Sequence, residues 1–369
     1  MQLYAGSTAE FISDAVQHRV AEKLGESYYE YFRFRASASE FASWQNSLTA
    51  LTSHLQYADL HDGGIALELQ LPLTSARLDA ILTGHDAAGR ERAVIVELKQ
   101  WTSAQPAGID DCVLTFLGGK LREVPHPSVQ VANYRRYLGD MNSAFYDERG
   151  AVLLDACSWL HNLDAASRAR LRGPEFETAV AAAPLFTGHD AEPFRSFLRE
   201  RLAAGRGVPV LARVTGGRYA PSKKLLEHTA RAIAGESAYT LLDDQIVAFQ
   251  SVMTLARKGL RSKAERAVVV VKGGPGTGKS VLAVNLMGEL LKEGKNVQHA
   301  TGSKAFTENL RKVLGARSRP LLQYFNSYGA ADPGAVDVLV CDESHRIPRP
   351  ATPSTRRRPR RRTGRRSTN

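Results

Sequence analysis

Residues 267–280 read AVVVVKGGPGTGKS, and this stretch decides how the second half of the chain folds. The valine run has the β-branched, uninterrupted apolar character of a strand buried on both faces. The segment after it, Gly273, Gly274, Pro275, Gly276, Thr277, Gly278, Lys279 and Ser280, fits the spacing G-x-x-x-x-G-K-[ST]. Its glycines permit backbone angles closed to other residues, so successive amides turn inward and cradle phosphate oxygens. A helix starting near Lys279 adds the positive end of its dipole. Lys279 is expected to reach the β- and γ-phosphates, and the Ser280 hydroxyl to ligate Mg²⁺. The expected cofactors are therefore ATP and Mg²⁺.

Working outward, the pattern alternates. A helix (DDQIVAFQSVMTLARKG) precedes the valine strand and an apolar-periodic helix follows the glycines. Then come a strand (NVQHATG), a helix (FTENLRKVLG) and a strand (VDVLVCDE). Such alternation predicts an α/β unit with a parallel sheet covered on both faces. The last strand ends in Asp342-Glu343-Ser344-His345, where α/β sheets place ligand chemistry. Asp342 is expected to hold the Mg²⁺ and Glu343 to polarise the attacking water. His345 is either a coupling residue or an ordinary surface histidine.

The glycine loop, the Asp-Glu-x-His box and Gln245 resemble superfamily 1 helicases, and more narrowly the Schlafen group 3-like DNA/RNA helicase domain. The resemblance implies that Gln245 reads the adenine edge and that Thr301-Gly302 contacts nucleic acid. It also implies a nucleic-acid partner, DNA or RNA. Such motors close over ATP with a second RecA-like domain, and nothing after Arg346 has the pattern to build one. The expectation is ATP binding without unwinding by this chain alone.

The first half carries a different constellation. A capping box at Ser7 and Glu10 opens a helix running toward Lys23, and a second helix is expected from Ser39 to about Gln56. Three strand-like runs follow, IALELQLPL, ARLDAILTG and AVIVELKQW, then a loop with Gly118 and Gly119, then the helical SVQVANYRRYL. Asp79 lies 18 residues before Glu97. Glu97 and Lys99, two apart on a strand, share one face, while Val94, Val96 and Leu98 share the other. Two carboxylates and a lysine on a sheet can hold Mg²⁺ and stabilise charge during phosphodiester hydrolysis. Gln130 and Tyr134, four apart on the next helix, fall on one face and could line the same cleft. His126-Pro127-Ser128 could place an imidazole at the cleft, but the favoured reading is the start of that helix, with Ser128 as cap and Pro127 in the approach.

Asp, then Glu-x-Lys, then Gln-x-x-x-Tyr resembles the PD-(D/E)xK nuclease superfamily, especially its RecB-like branch, across about residues 38–140. The resemblance implies a restriction-endonuclease-like α/β fold with Asp79 and Glu97 as metal ligands; Glu40 and Glu68 are further acids nearby. The fold expectation is thus a nuclease-like α/β domain (38–150) behind a helical segment (1–37). A connecting region (151–237), a partial RecA-like domain (238–347) and a disordered basic tail (348–369) complete it.

The 369-residue chain carries a net charge of +11, yet residues 349–369 alone hold nine Arg and no acid, leaving 11 − 9 = +2 for the rest. That tail could bind phosphate backbones electrostatically. Its abrupt onset after Glu343 equally fits a shifted reading frame or a premature end. Three scattered cysteines form no zinc spacing and no disulfide framework. With neither a signal peptide nor a membrane-length apolar run, the expected location is cytoplasmic, without membrane partners. Oligomeric state is not legible. The rival reading is a non-catalytic nucleic-acid-binding protein or an inactive remnant.

Overall fold

A computed structural model describes residues 2–71, 76–147, 150–219, 240–261, 267–274, 276–304, 307–308, 311, 320–328 and 336–347. Pro275, the tail from 348 and most of the FTENLRKVLG segment lie outside the described residues.

The chain is mixed α/β. Its larger sheet runs β1 (Tyr4–Ser7), β2 (Gly64–Gln70), β3 (Arg77–His85), β4 (Glu91–Lys99), β8 (Leu153–Leu160) and β9 (Leu185–Thr187), in that spatial order. The first four strands pair antiparallel and the last three parallel. It therefore crosses the boundaries expected near 38 and 150, because β1 supplies an edge and β8 an interior strand that no local pattern ties to β2–β4. On one face lie α1 (Thr8–Val16), α2 (Val20–Phe32), α3 (Ala38–Tyr57) and α7 (Ala191–Leu202), packed on Val94, Val96 and Leu98. On the other lie α4 (Pro127–Met141) and α8 (Gly207–Thr215), packed on Ala93 and Ile95. Burial on both faces explains why β4 reads as a nearly continuous apolar run.

Local chemistry accounts for the helix starts. Ser7 Oγ accepts the Glu10 amide at 3.1 Å while Glu10 Oε2 accepts the Ser7 amide at 2.8 Å, a complete capping box. The first helix stops at Val16 rather than running to Lys23, because His18 takes a left-handed φ of 56° and the chain restarts at Val20. In α3, capped by Ser37, the residues Trp44, Leu48, Leu51 and Leu55 are buried, whereas Phe41 is exposed.

Two segments differ from expectation. The loop expected around Gly118 and Gly119 is the turn of a small antiparallel sheet, β5 (Ala104–Pro106), β6 (Cys112–Leu117) and β7 (Lys120–Pro125). Both glycines take positive φ (57° and 81°), which lets the hairpin reverse. This sheet packs with α5 (Ala165–Leu171), and α6 (Glu177–Ala182) follows in sequence. The connecting region expected at 151–237 contains α8, whose Val210, Leu211 and Val214 are buried against the large sheet. Its 3.6-residue apolar spacing outweighs the Pro209 signal, since proline is tolerated in a first turn.

The second unit contains α9 (Asp244–Arg261), α10 (Lys279–Lys292) and a parallel sheet ordered β11 (Leu322–Tyr324), β10 (Val297–Thr301), β12 (Val338–Asp342). The strand expected at 267–271 is not formed: residues 267–274 carry no regular secondary structure among the described residues, and Val268 is 88 % exposed. β-propensity becomes a strand only where a cross-strand partner meets it. Among the described residues, no helix is long and apolar enough to cross a membrane.

Candidate functional site

β3 and β4 position a cluster of charged side chains where their pairing ends. The β3–β4 ladder stops at Ala80–Val96, one residue before Asp79 and Glu97. Asp79 Oδ2 takes over, accepting the Leu98 amide at 2.7 Å. On the other side of Asp79 the β2–β3 ladder skips a step, between Leu67–Ala80 and Leu69–Leu78. The skipped β2 residue is Glu68, whose φ of 51° is unusual for a glutamate. Backbone distortion at this point directs two carboxylates toward one another.

Glu97 is 2 % exposed. Its Oε1 accepts from Lys99 Nζ at 2.5 Å, while Oε2 is buried without a hydrogen-bond partner. Its cross-strand neighbour Ser158 on β8 likewise buries an unpartnered Oγ. Burial, then the Asp79 charge, pushes the Glu97 carboxyl up to about 8, despite Lys99. Burial also raises Asp79, against the pull of Lys99 and the Leu98 amide. Glu68 is pushed up to about 7 by burial and by Asp79. Burial opposes the Lys99 charge, but Glu97 and Asp79 outweigh it and hold the ammonium protonated.

α4 closes the cluster. Gln130 Nε2 donates to Tyr134 OH at 2.8 Å, so the expected one-face arrangement is present. Both also bind a carboxylate from far along the chain: Tyr134 OH donates to Asp243 Oδ1 at 2.5 Å and Gln130 Nε2 to the same oxygen at 2.9 Å. On the other face Glu68 accepts from Trp44 Nε1 at 2.8 Å and pairs with Arg77 at 3.2 Å, and Arg77 reaches Glu40 at 2.6 Å. Glu40 is thus an ion-pair partner of Arg77. His126 is a helix cap instead of a cleft residue, and it takes the role expected of Ser128: Nδ1 accepts the Ser128 amide at 3.1 Å.

Asp79, Glu97, Lys99, Gln130 and Tyr134 therefore meet at one point of the fold. Sequence reasoning missed Asp243 and Ser158. The LLDD run signalled the first only as a helix start, and nothing in CSWL marked the second. Among the described residues no three His, Cys, Asp or Glu side chains gather where a metal ion would sit. The fit to a divalent cation rests on less: two carboxylates, an orphaned buried Glu97 oxygen, and the Asp79 charge that raises the proton affinity of Glu97. Those donors suit a hard cation completed by water, with Asp79 and Glu97 as its ligands.

The glycine loop lies in the second unit. Gly276 and Gly278 take φ of 74° and 81°, the left-handed angles expected of a cradle. α10 starts at Lys279. Lys279 Nζ folds back, donating to the carbonyls of Gly273 at 2.9 Å and Gly274 at 2.7 Å. Thr277 Oγ1 donates to Gly274 O at 2.9 Å. Gln245 Nε2 donates to Thr277 O at 3.0 Å, so the loop and the Gln245 helix touch. Ser280 is the second residue of α10, which packs on β10 and β12. At the end of β12, Asp342 is 7 % exposed, opposite Thr301 in the ladder. Its Oδ1 accepts the Glu343 amide at 2.9 Å, and Glu343 takes a strained φ of 52°. His345 is exposed.

A family model described as "Schlafen group 3, DNA/RNA helicase domain" matches residues 266–365, which include the glycine loop and the Asp342–His345 box. This part of the chain is similar to a helicase domain of that group, which ties it to nucleic-acid-related, NTPase-like function. No curated protein and no solved structure matches the chain.

Proposed function

We propose that the protein binds ATP and processes nucleic acid, a helicase-like NTPase unit being joined to a metal-dependent, nuclease-like centre of the PD-(D/E)xK type. One observation carries the nuclease-like part: Asp79, Glu97 and Lys99 converge from two strands with the Gln130–Tyr134 pair of α4 beside them. Bound Mg²⁺ would supply Lewis acidity at the scissile phosphate. Asp79 and Glu97 would hold the ion in their ionised forms. Lys99 would release Glu97 and turn its ammonium to the charge that develops on the phosphate. Tyr134 and Gln130 would fix the cleft's shape and offer donors to the substrate backbone.

In the second unit Lys279 would exchange the Gly273 and Gly274 carbonyls for the β- and γ-phosphates. Ser280 and Asp342 would hold Mg²⁺, Glu343 would orient water, and Gln245 would meet the adenine. We assign nucleotide binding, not unwinding, to this unit. Fluorescent-ATP titration tests it: wild type binds and Lys279→Ala does not, whereas equal binding by both would refute the assignment. Cleavage assays on DNA and RNA test the other centre.

The non-catalytic reading draws on one observation. The Lys99–Glu97 clasp, buried and with the Glu97 carboxyl pushed above its ordinary value, is a closed arrangement that does not require turnover.

A further inference from the structure

Asp243 stands in the sequence as the residue before a helix, yet its side chain is in the carboxylate centre. Its Oδ1 receives both Tyr134 OH and Gln130 Nε2. Its charge also bears on Glu97, Asp79 and Lys99, so it faces the same space. The preceding Leu242 is 5 % exposed and anchors the segment in the core that contains Tyr134 and Leu138. Asp243 holds a left-handed φ of 47°, tolerable for aspartate, and this bend turns the chain straight into α9.

Two residues on, Gln245 is in the other site. Its Nε2 donates to Thr277 O at 3.0 Å, and its Oε1 accepts the Leu242 amide at 3.2 Å. The turn is stiffened by the Gln245 amide on Leu242 O at 2.9 Å and the Ile246 amide on Asp243 O at 3.0 Å. Space is short at the loop: a Cβ on Gly278 would lie 2.4 Å from Gln245 Nε2. Farther along α9, Gln250 donates to Asp111 beside the small sheet at 3.0 Å, and Arg257 bridges Asp110 and Glu293 at the end of α10.

We propose that Asp243 is a positioning residue of the carboxylate centre and that the Leu242–Gln245 turn couples it to occupancy of the glycine loop. A ligand that rearranges Thr277 and Gly278 must displace the Gln245 amide packed against them. Gln245 is bonded at both ends of its amide, so its displacement pulls on Leu242 and Asp243. Asp243 in turn sets where the Tyr134 hydroxyl and the Gln130 amide point. The coupling acts in both directions, as linkage requires. It rests on the nucleotide-binding reading of the loop and is independent of whether the carboxylate centre cleaves anything.

The test is hydrogen–deuterium exchange on the full chain with a non-hydrolysable ATP analogue, with analogue binding followed separately by fluorescence anisotropy. In wild type, the analogue changes exchange in peptides covering residues 91–100 and 127–138 by about fivefold or more, the scale of ordinary allosteric coupling. Asp243→Asn keeps an acceptor for Tyr134 and Gln130 and retains the effect; Asp243→Ala loses it. Gln245→Ala breaks the same link at its other end and loses it too, which keeps the test valid should Asp243→Ala fold poorly. Binding without any exchange change in wild type, or an unaltered effect in both alanine variants, overturns the coupling alone. Absence of analogue binding to wild type overturns the nucleotide reading and the coupling with it.

Discussion

The carboxylate of Asp79 accepts the backbone amide of Leu98 at 2.7 Å, on the residue that separates Glu97 from Lys99. One hydrogen bond thus replaces the strand pairing that ends at Ala80–Val96 and aligns both flanking side chains on the same face.

Replacing Asp79 by alanine leaves that amide unsatisfied, at a cost of roughly 1–3 kcal/mol. Asp79→Asn keeps an acceptor and loses less. Denaturant unfolding of the two variants checks the order; equal destabilisation would mean that the amide contact contributes nothing.

The contribution of Glu97 and Glu68 to stability should fall as pH rises from about 5 to 8. Glu97 and Glu68 are held up at about 8 and about 7, above the ordinary glutamate value of 4.5. Over that window these two carboxyls bind more protons in the folded state than in the unfolded one, so their contribution is full below the unfolded value and is lost as pH passes the folded value. His54 and His126, held down at about 4 by burial, act in the opposite sense below about 6.5. Groups such as Asp86, whose carboxyl is held down at about 2 by its amide and arginine contacts despite burial, act only at lower pH. Thermal melts in chelator should show wild type losing more than Glu97→Gln between these limits. Parallel curves would contradict the assignment.

A cation at Asp79 and Glu97 needs both ionised, so Mn²⁺ uptake at pH 7 should release about one proton. Calorimetry in buffers of different ionisation enthalpy measures it, and Glu97→Gln should abolish both the uptake and the release. Uptake without proton release would place the ion elsewhere.

Much of this centre was legible because its signals are local. Strand alternation puts Glu97 with Lys99, and helix spacing puts Gln130 with Tyr134. The remainder depends on pairing between distant segments, which no local period records. Tyr134 and Asp243 are 109 residues apart, and Ser158 enters only because β8 lies beside β4. The same reason explains the valine run of 267–271: its composition is that of a strand, but among the described residues no neighbouring strand completes a ladder there. Glu68 was visible as an acid, whereas its left-handed backbone was not.

At the glycine loop, Gly278→Ala should be more damaging than Gly274→Ala. The first adds a Cβ against Gln245 at a φ of 81°, while the second meets nothing nearer than 3.9 Å, at Thr277. Nucleotide affinity should drop at least about tenfold for the first, the equivalent of 1.4 kcal/mol. Anisotropy titration decides it, and equal affinities would show that the Gln245 contact is not sensed.

The most direct test of the central claim is cleavage of labelled single- and double-stranded DNA and RNA in Mg²⁺ or Mn²⁺, wild type against Lys99→Ala. The account predicts cation-dependent cleavage by wild type, suppressed by chelator and by the substitution. Cleavage unchanged in Lys99→Ala, or no cleavage of any of these substrates by a wild-type protein that binds Mn²⁺, would contradict it.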